Sequence, residues 1–200
     1  MISDAVAKLR RDFELPVDPA RRGPVPLNRF FEAMSRPWVT HCTLPDLDRA
    51  SVADHLRSEG IEIELPGDPA EKFVGFLYLT ASTAWAYVSA DGNNLGRRRF
   101  TAAHELGHAI LHRDRMDRPY LIDSQVEEAS ESDDEMEREA NRFAAELLMP
   151  VEVCAARAEE LMAEHGCCPR GVLAYQLASE LLVSREAMRY RLKSLGVGDE

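Results

Sequence analysis

No run of apolar residues in the 200-residue chain approaches the roughly 18–20 needed to cross a bilayer, which argues against a membrane-spanning helix. A leader of the secretory type is not expected either, because the first stretch already carries Asp4, Lys8, Arg10, Arg11 and Asp12. The 4 cysteines lack C-x-x-C spacing, and the adjacent pair Cys167 and Cys168 is poorly placed to form a disulfide. Reduced thiols in a cytoplasmic protein are therefore expected. There is no internal repeat. Net positive charge is lacking as well: 24 Lys and Arg stand against 35 Asp and Glu, a formal charge of −11, so direct nucleic-acid binding is not expected.

What is present is ordinary for a globular chain. With 45% hydrophobic and 30% charged residues and 11 each of Gly and Pro, collagen-like, fibrous and wholly disordered classes are excluded. The length suits one domain, or one domain with a small appendage, and is enough to bury a core. The acidity is local. Residues 123–139 hold Asp123, Glu127, Glu128, Glu131, Asp133, Asp134, Glu135, Glu137 and Glu139 against Arg138 alone.

A short helix is expected over about 4–14, then an extended connector from Pro16 to Pro26, then a helix from Ser51 to Glu59 ending at Gly60. The apolar runs Phe73–Leu79 and Ala84–Val88, on either side of Ala81-Ser82-Thr83, read as an antiparallel strand pair at the heart of a small sheet. Thr101 is a plausible N-cap for a helix over 102–112. Apolar positions Met136, Ala140, Phe143, Ala144 and Leu147 predict a helix over 134–148, stopped by Pro150. Another follows over 151–164, and the tail 172–195 reads as two helices joined at Val183-Ser184, with Ser184 as a cap. Strands followed by several helices indicate an α+β fold. The expected division is 1–70 as an extension without an assigned role, 71–150 as the core, and 151–200 as a C-terminal helical segment.

The chemistry sits in His104-Glu105-Leu106-Gly107-His108. On a helix, residues i and i+4 lie on one side, about 6 Å apart along the axis, so both imidazoles can turn to one cation. Glu105 neighbours the first of them, where its carboxylate can reach a water on the ion and act as general base. At this content of His and Glu, chance would supply roughly 0.02 such motifs, so an accidental pair of histidines is the weaker reading. A catalytic zinc site usually needs a third protein ligand. His112 is one turn beyond His108 and about 12 Å along the axis from His104, too far to share the ion on a straight helix, so it reads as a helix-end residue or one that supports a ligand. The other source is a carboxylate from the helix over 134–148. Glu137 shares a face with the small residues Ala140 and Ala144 and with Asn141, which can accept a hydrogen bond from a ligand imidazole. Equally, Glu137 can be one more member of a solvated acidic run, and spacing alone leaves both readings open.

Taken together, the segment from Arg98-Arg-Phe-Thr-Ala-Ala-His104 to His112 and the segment Glu137-Arg-Glu-Ala-Asn141 to Pro150 resemble the ImmA/IrrE family of metallopeptidases. The resemblance covers about residues 73–150 and reaches more weakly into the tail. It implies a zincin-like core in which His104, His108 and Glu137 hold the metal and Glu105 is the base. Zn2+ is the metal implied, although two imidazoles and a carboxylate also suit Mn2+ or Fe2+. The implied substrate is a helix-turn-helix transcriptional repressor, cleaved to relieve repression of mobile-element, prophage or stress genes. The rival from another class is a metal-containing module that binds a repressor, or a toxin–antitoxin component, with little proteolysis.

Four smaller readings accompany this one. The tail, with Arg170, Arg185, Arg189, Arg191 and Lys193, reads either as a DNA-binding helix-turn-helix or, preferably, as a helical hairpin packed on the core. Arg97-Arg98-Arg99 reads as a solvated loop, or as a partner for acids 127–135 in a lid. The strand around Ala84–Ser89 is a candidate to hold substrate by main-chain pairing. Tyr120 and His112 are candidates to stabilise an oxyanion.

Overall fold

The computed structural model describes residues 2–20, 22–32, 38–91, 94–124, 134–166 and 169–198. Four strands form one mixed sheet: β1 (Trp38–Leu44), β2 (Gly75–Leu79), β3 (Thr83–Ser89) and β4 (Tyr120–Asp123). Their order is β1-β3-β2-β4. β2 and β3 are the antiparallel pair predicted from the two apolar runs, and the turn closes with Thr80 N–H donating to Thr83 O at 2.9 Å. β1 runs parallel to β3, and β4 antiparallel to β2; neither strand was anticipated. Because β3 is paired along both edges, it has no main-chain groups to offer a substrate, and that expectation is corrected. The only partner of β4 among the described strands is β2.

Side chains alternate between the faces. Leu77, Ala84, Ala86, Val88 and Leu121 join the main core. Phe76, Tyr87, Tyr120 and Ile122 form a second cluster with Val52 and Leu56 of α3 (Arg49–Ser58). That helix is started by a reciprocal cap between Asp48 and Ser51.

The other helices are α1 (Ile2–Asp12), α2 (Asn28–Glu32), α4 (Leu95–Leu111), α5 (Glu135–Leu148), α6 (Val151–His165), α7 (Arg170–Leu181) and α8 (Arg185–Ser194). The protein is thus α+β, with a small mixed sheet. Residues ahead of position 70 share the main core through Val6, Leu9, Phe30, Phe31 and Val39. Arg10 also reaches across to donate to Leu147 O at 2.6 Å.

α4 begins seven residues before the expected start. Asn94, not Thr101, is its N-cap, accepting from Arg97 N–H at 3.1 Å, and Thr101 is buried within the helix. Arg97-Arg98-Arg99 therefore forms the first turns of the helix and not a loop. Arg99 is tolerated at this dipole end because it donates to the carbonyls of Leu182 (3.1 Å) and Val25 (2.7 Å). Of the acids 127–135 in the lid reading, 127–133 lie outside the described residues, and Glu135 faces Arg115 at 3.4 Å.

α7 and α8 pack on the core through Leu173, Leu177, Leu181, Ala187, Met188 and Leu192. Ser184 caps α8 as expected, accepting from Ala187 N–H at 3.0 Å. Arg191 donates to Met149 O at 2.9 Å, tying the tail to the end of α5. No helix among the described residues is long and apolar enough to cross a membrane.

Candidate metal centre

α4 lies between the sheet and α5, and this burial turns its middle into a site. His104, Glu105 and His108 are all 0% exposed. Gly107 permits the close approach of α5: a Cβ there would sit 3.1 Å from the Phe143 ring. Glu137 stands in the first turn of α5, the end of a helix where the dipole favours an acid. The last residue of β4, Asp123, is 8% exposed and faces the same point.

The donor atoms converge. His104 Nε2 and His108 Nε2 are 2.9 Å apart. Glu137 Oε2 lies 3.3 Å from His104 Nε2 and Glu137 Oε1 lies 3.3 Å from His108 Nε2, and Asp123 Oδ2 lies 3.4 Å from His104 Nε2. One ligand atom from each of the four residues falls within 4.8 Å of all the others. Around a tetrahedral ion with bonds of about 2.0–2.1 Å, neighbouring donors are about 3.3–3.4 Å apart. Three of the four measured separations match that spacing, and the nitrogen pair is tighter.

Hydrogen bonding behind the imidazoles leaves the correct atoms free. His104 Nδ1–H donates to Asn141 Oδ1 at 2.8 Å. His112 Nε2–H donates to the Glu139 carboxylate at 3.0 Å, which also receives Arg115 at 2.5 Å. With that proton placed, His112 Nδ1 accepts from His108 Nδ1–H at 2.9 Å. Both Nε2 lone pairs then point at the common centre, next to two carboxylates that can only accept. Two lone pairs face to face repel unless a proton or a metal ion lies between them, and with two carboxylates converging on the same point the donor set fits a divalent ion.

Charge follows the same pattern. Burial would lower His104, but the Asp123 and Glu137 carboxylates outweigh it and raise the imidazole to about 9. Burial would raise Glu137, and His104 and His108 overcome this and hold it well below the usual carboxylate range. His112 is pushed down to about 4 by burial and by its neighbour His108, in keeping with the neutral ring that the hydrogen bonds require. Glu105 is held well above its ordinary value by burial first, then by Asp123 and Glu137. Neither of its oxygens has a hydrogen-bond partner. Gly75 on β2 makes room for that carboxylate, since a Cβ at this position would collide with Glu105 Oε1.

The predicted residues His104, His108 and Glu137 are thus brought together, with Glu105 beside them and Asn141 behind His104. Sequence reasoning missed Asp123, whose one signal was its place as the first acid after the apolar Tyr120-Leu121-Ile122. It also missed Glu139 as the support of His112. Neither oxyanion candidate faces the centre. Tyr120 points to the other face of the sheet, stacked 6.0 Å from Phe76, and both ring nitrogens of His112 are engaged behind His108. A cavity of about 570 Å³ is lined by Lys72, Val74, Arg97, Arg98, Thr101 and Ser124 among others; Val74 and Ser124 adjoin Gly75 and Asp123 in the chain, and none of the converging donors lines it.

A family model of peptidases, described as the IrrE N-terminal-like domain, matches residues 69–193. No curated protein matches the chain.

Proposed function

The chain belongs to the peptidase family described as IrrE N-terminal-like, and from that premise we propose that it is a metal-dependent endopeptidase with a zincin-like core. His104, His108 and Glu137 hold the ion, and Zn2+ is the metal best suited to two imidazoles and a carboxylate. When bound, the ion supplies Lewis-acid polarisation of the scissile carbonyl and acidifies the attacking water. Glu105 accepts the proton of that water and returns it to the leaving amine. Asn141 and the His112–Glu139 pair orient the two imidazoles. The cavity lined by Val74, Thr101 and Ser124 receives the chain on one side of the scissile bond.

The observation that carries this reading is the Glu105 carboxylate, fully buried and without a hydrogen-bond partner, next to two imidazoles aimed at one point. A purely structural metal site has no use for such a group, and burying it is costly. The substrate proposed is a helix-turn-helix repressor, on the strength of the family resemblance.

Glu105→Gln is expected to keep the metal and lower hydrolysis by about 10²–10⁴-fold. Comparing cellular protein N-termini by mass spectrometry, with wild type or Glu105→Gln expressed, tests enzyme and substrate together. A new terminus inside a helix-turn-helix protein, seen only with wild type, is the expected result. Identical termini in both cells would favour the second reading, a metal-containing module that binds its partner without cutting it. One observation favours that alternative: Asp123 offers a fourth protein donor, as closed structural sites do.

A further inference from the structure

Asp123 has no role in the mechanism above, yet it is one of the most constrained carboxylates in the molecule. It is 8% exposed, and its Oδ2 has no hydrogen-bond partner. That oxygen lies 3.4 Å from His104 Nε2. A buried, unpartnered carboxylate oxygen is costly unless something positive meets it. The basic group nearest it is the His104 imidazole itself, and Glu105 and Glu137 bring two further carboxyl groups to the same point, more acid than one imidazole can answer.

The backbone holds Asp123 in place. Asp123 pairs with Gly75 across β2 and β4, and Asp123 O accepts from Val74 N–H at 2.8 Å. Strand alternation then sends its side chain to the helix face, while Tyr120 and Ile122 go to the other. The carboxylate arrives from the sheet, opposite the helical donors, at a tetrahedral spacing from His104. His104, His108 and Glu137 come from α4 and α5, so Asp123 adds a donor atom from the sheet, within 4.8 Å of the other three.

We propose that Asp123 is a fourth protein ligand that closes the metal centre, in the coordination place that an active peptidase leaves to water. The inference rests on the metal-site reading given above. In this arrangement the centre is latent, and hydrolysis begins only when Asp123 leaves the ion, which requires the end of β4 to shift. Because β4 is only four residues long and borders only β2 among the described strands, a shift there breaks few ladder bonds.

Cobalt substitution tests the assignment without relying on activity. The full-length protein is loaded with Co2+, and azide is titrated while the visible spectrum is followed. Wild type is expected to show an intense tetrahedral spectrum that azide leaves unchanged. Asp123→Ala is expected to bind Co2+ about 10–100-fold more weakly and to respond to azide, since water replaces the lost oxygen. Asp123→Asn keeps the side-chain shape and guards against a folding defect; it is expected to show the same azide response. If azide perturbs wild type as readily as the two variants, Asp123 is not a ligand and the proposal is overturned. Failure of the underlying reading looks different: His104→Ala would then retain Co2+ with wild-type affinity and spectrum.

Discussion

Two helix pairs in this chain both pack through apolar side chains, yet their chemistry is opposite. α7 and α8 meet through Leu173, Leu177, Leu181, Ala187, Met188 and Leu192, a contact that pays its way by removing apolar surface from water. α4 and α5 meet through Leu106, Phe143, Ala144 and Leu147, but the same interface also buries His104, Glu105, His108 and Asn141. The first pair needs nothing from outside. The second is satisfied only by partners on both sides: Asn141 and Glu139 behind the imidazoles, and a positive charge in front of them. Where a core departs from apolar composition and its polar atoms converge instead of pairing off, stability has been given up for a site.

The contrast is broken most severely from the apolar side. Leu177 is 1% exposed, and Leu177→Ala is expected to cost about 2–5 kcal/mol. Its metal affinity is expected to be that of wild type. Urea unfolding combined with competition against a chromophoric chelator checks both halves; a large loss of affinity would mean that the two pairs are one cooperative unit.

Dependence on pH is expected to separate the pairs next. His104 is raised to about 9, the two carboxylates prevailing over burial. For a group raised in the folded state, the stabilisation is complete below its ordinary value of about 6.5 and is lost as pH rises through 9. Glu105, also raised, acts in the same direction, whereas Glu137 is lowered and its contribution is lost only in acid. Metal-free protein is therefore expected to lose about 3 kcal/mol between pH 6.5 and 9. A divalent ion reverses the trend, because it competes with protons for the same lone pairs. Thermal melts at pH 6 and pH 9, with chelator and with Zn2+, read the effect. Hydrogen exchange should place the loss in α4 and α5 and spare α7 and α8.

A smaller effect isolates the support behind the proposed ligands. Asn141→Leu removes the acceptor of His104 Nδ1–H and is expected to weaken metal binding about 10–100-fold. Hydrolysis at saturating metal should fall much less than in Glu105→Gln. An unchanged metal affinity would show that packing against α5, and not this hydrogen bond, sets the imidazole.

Much of the site was legible because helical periodicity is local. His104 and His108 are one turn apart, and the face of Glu137 and Asn141 can be read from the small residues Ala140 and Ala144 between and beyond them. The β2–β3 pair and the Ser184 cap were legible for the same reason, since each is specified within a few residues. Asp123 was not. Its position depends on pairing with Gly75, 48 residues earlier in the chain, and the register of a non-local strand pair leaves no mark in spacing. β1 escaped notice likewise, being parallel to a strand that follows it by more than thirty residues. The start of α4 was misplaced because three arginines at a helix N-terminus look unfavourable until the carbonyls of Leu182 and Val25 are seen to receive Arg99.

That same first turn is one of the places where the two helix pairs touch. Gly96 presses against the backbone of Val183 and Ser184, at the turn between α7 and α8, and a Cβ there would overlap main-chain atoms that have no flexible end to move aside. Gly96→Ala is therefore expected to destabilise the protein by about 1–3 kcal/mol by pushing the tail away from α4. His104 lies two helical turns further along, and its position is set by the sheet and α5. Metal affinity should accordingly stay within about twofold of wild type, well below the 10–100-fold loss expected when a ligand's own support is removed. Isothermal titration with Zn2+ beside a denaturant melt separates the two quantities. A metal affinity that falls in step with stability would show that the apolar pair acts as a brace for the centre.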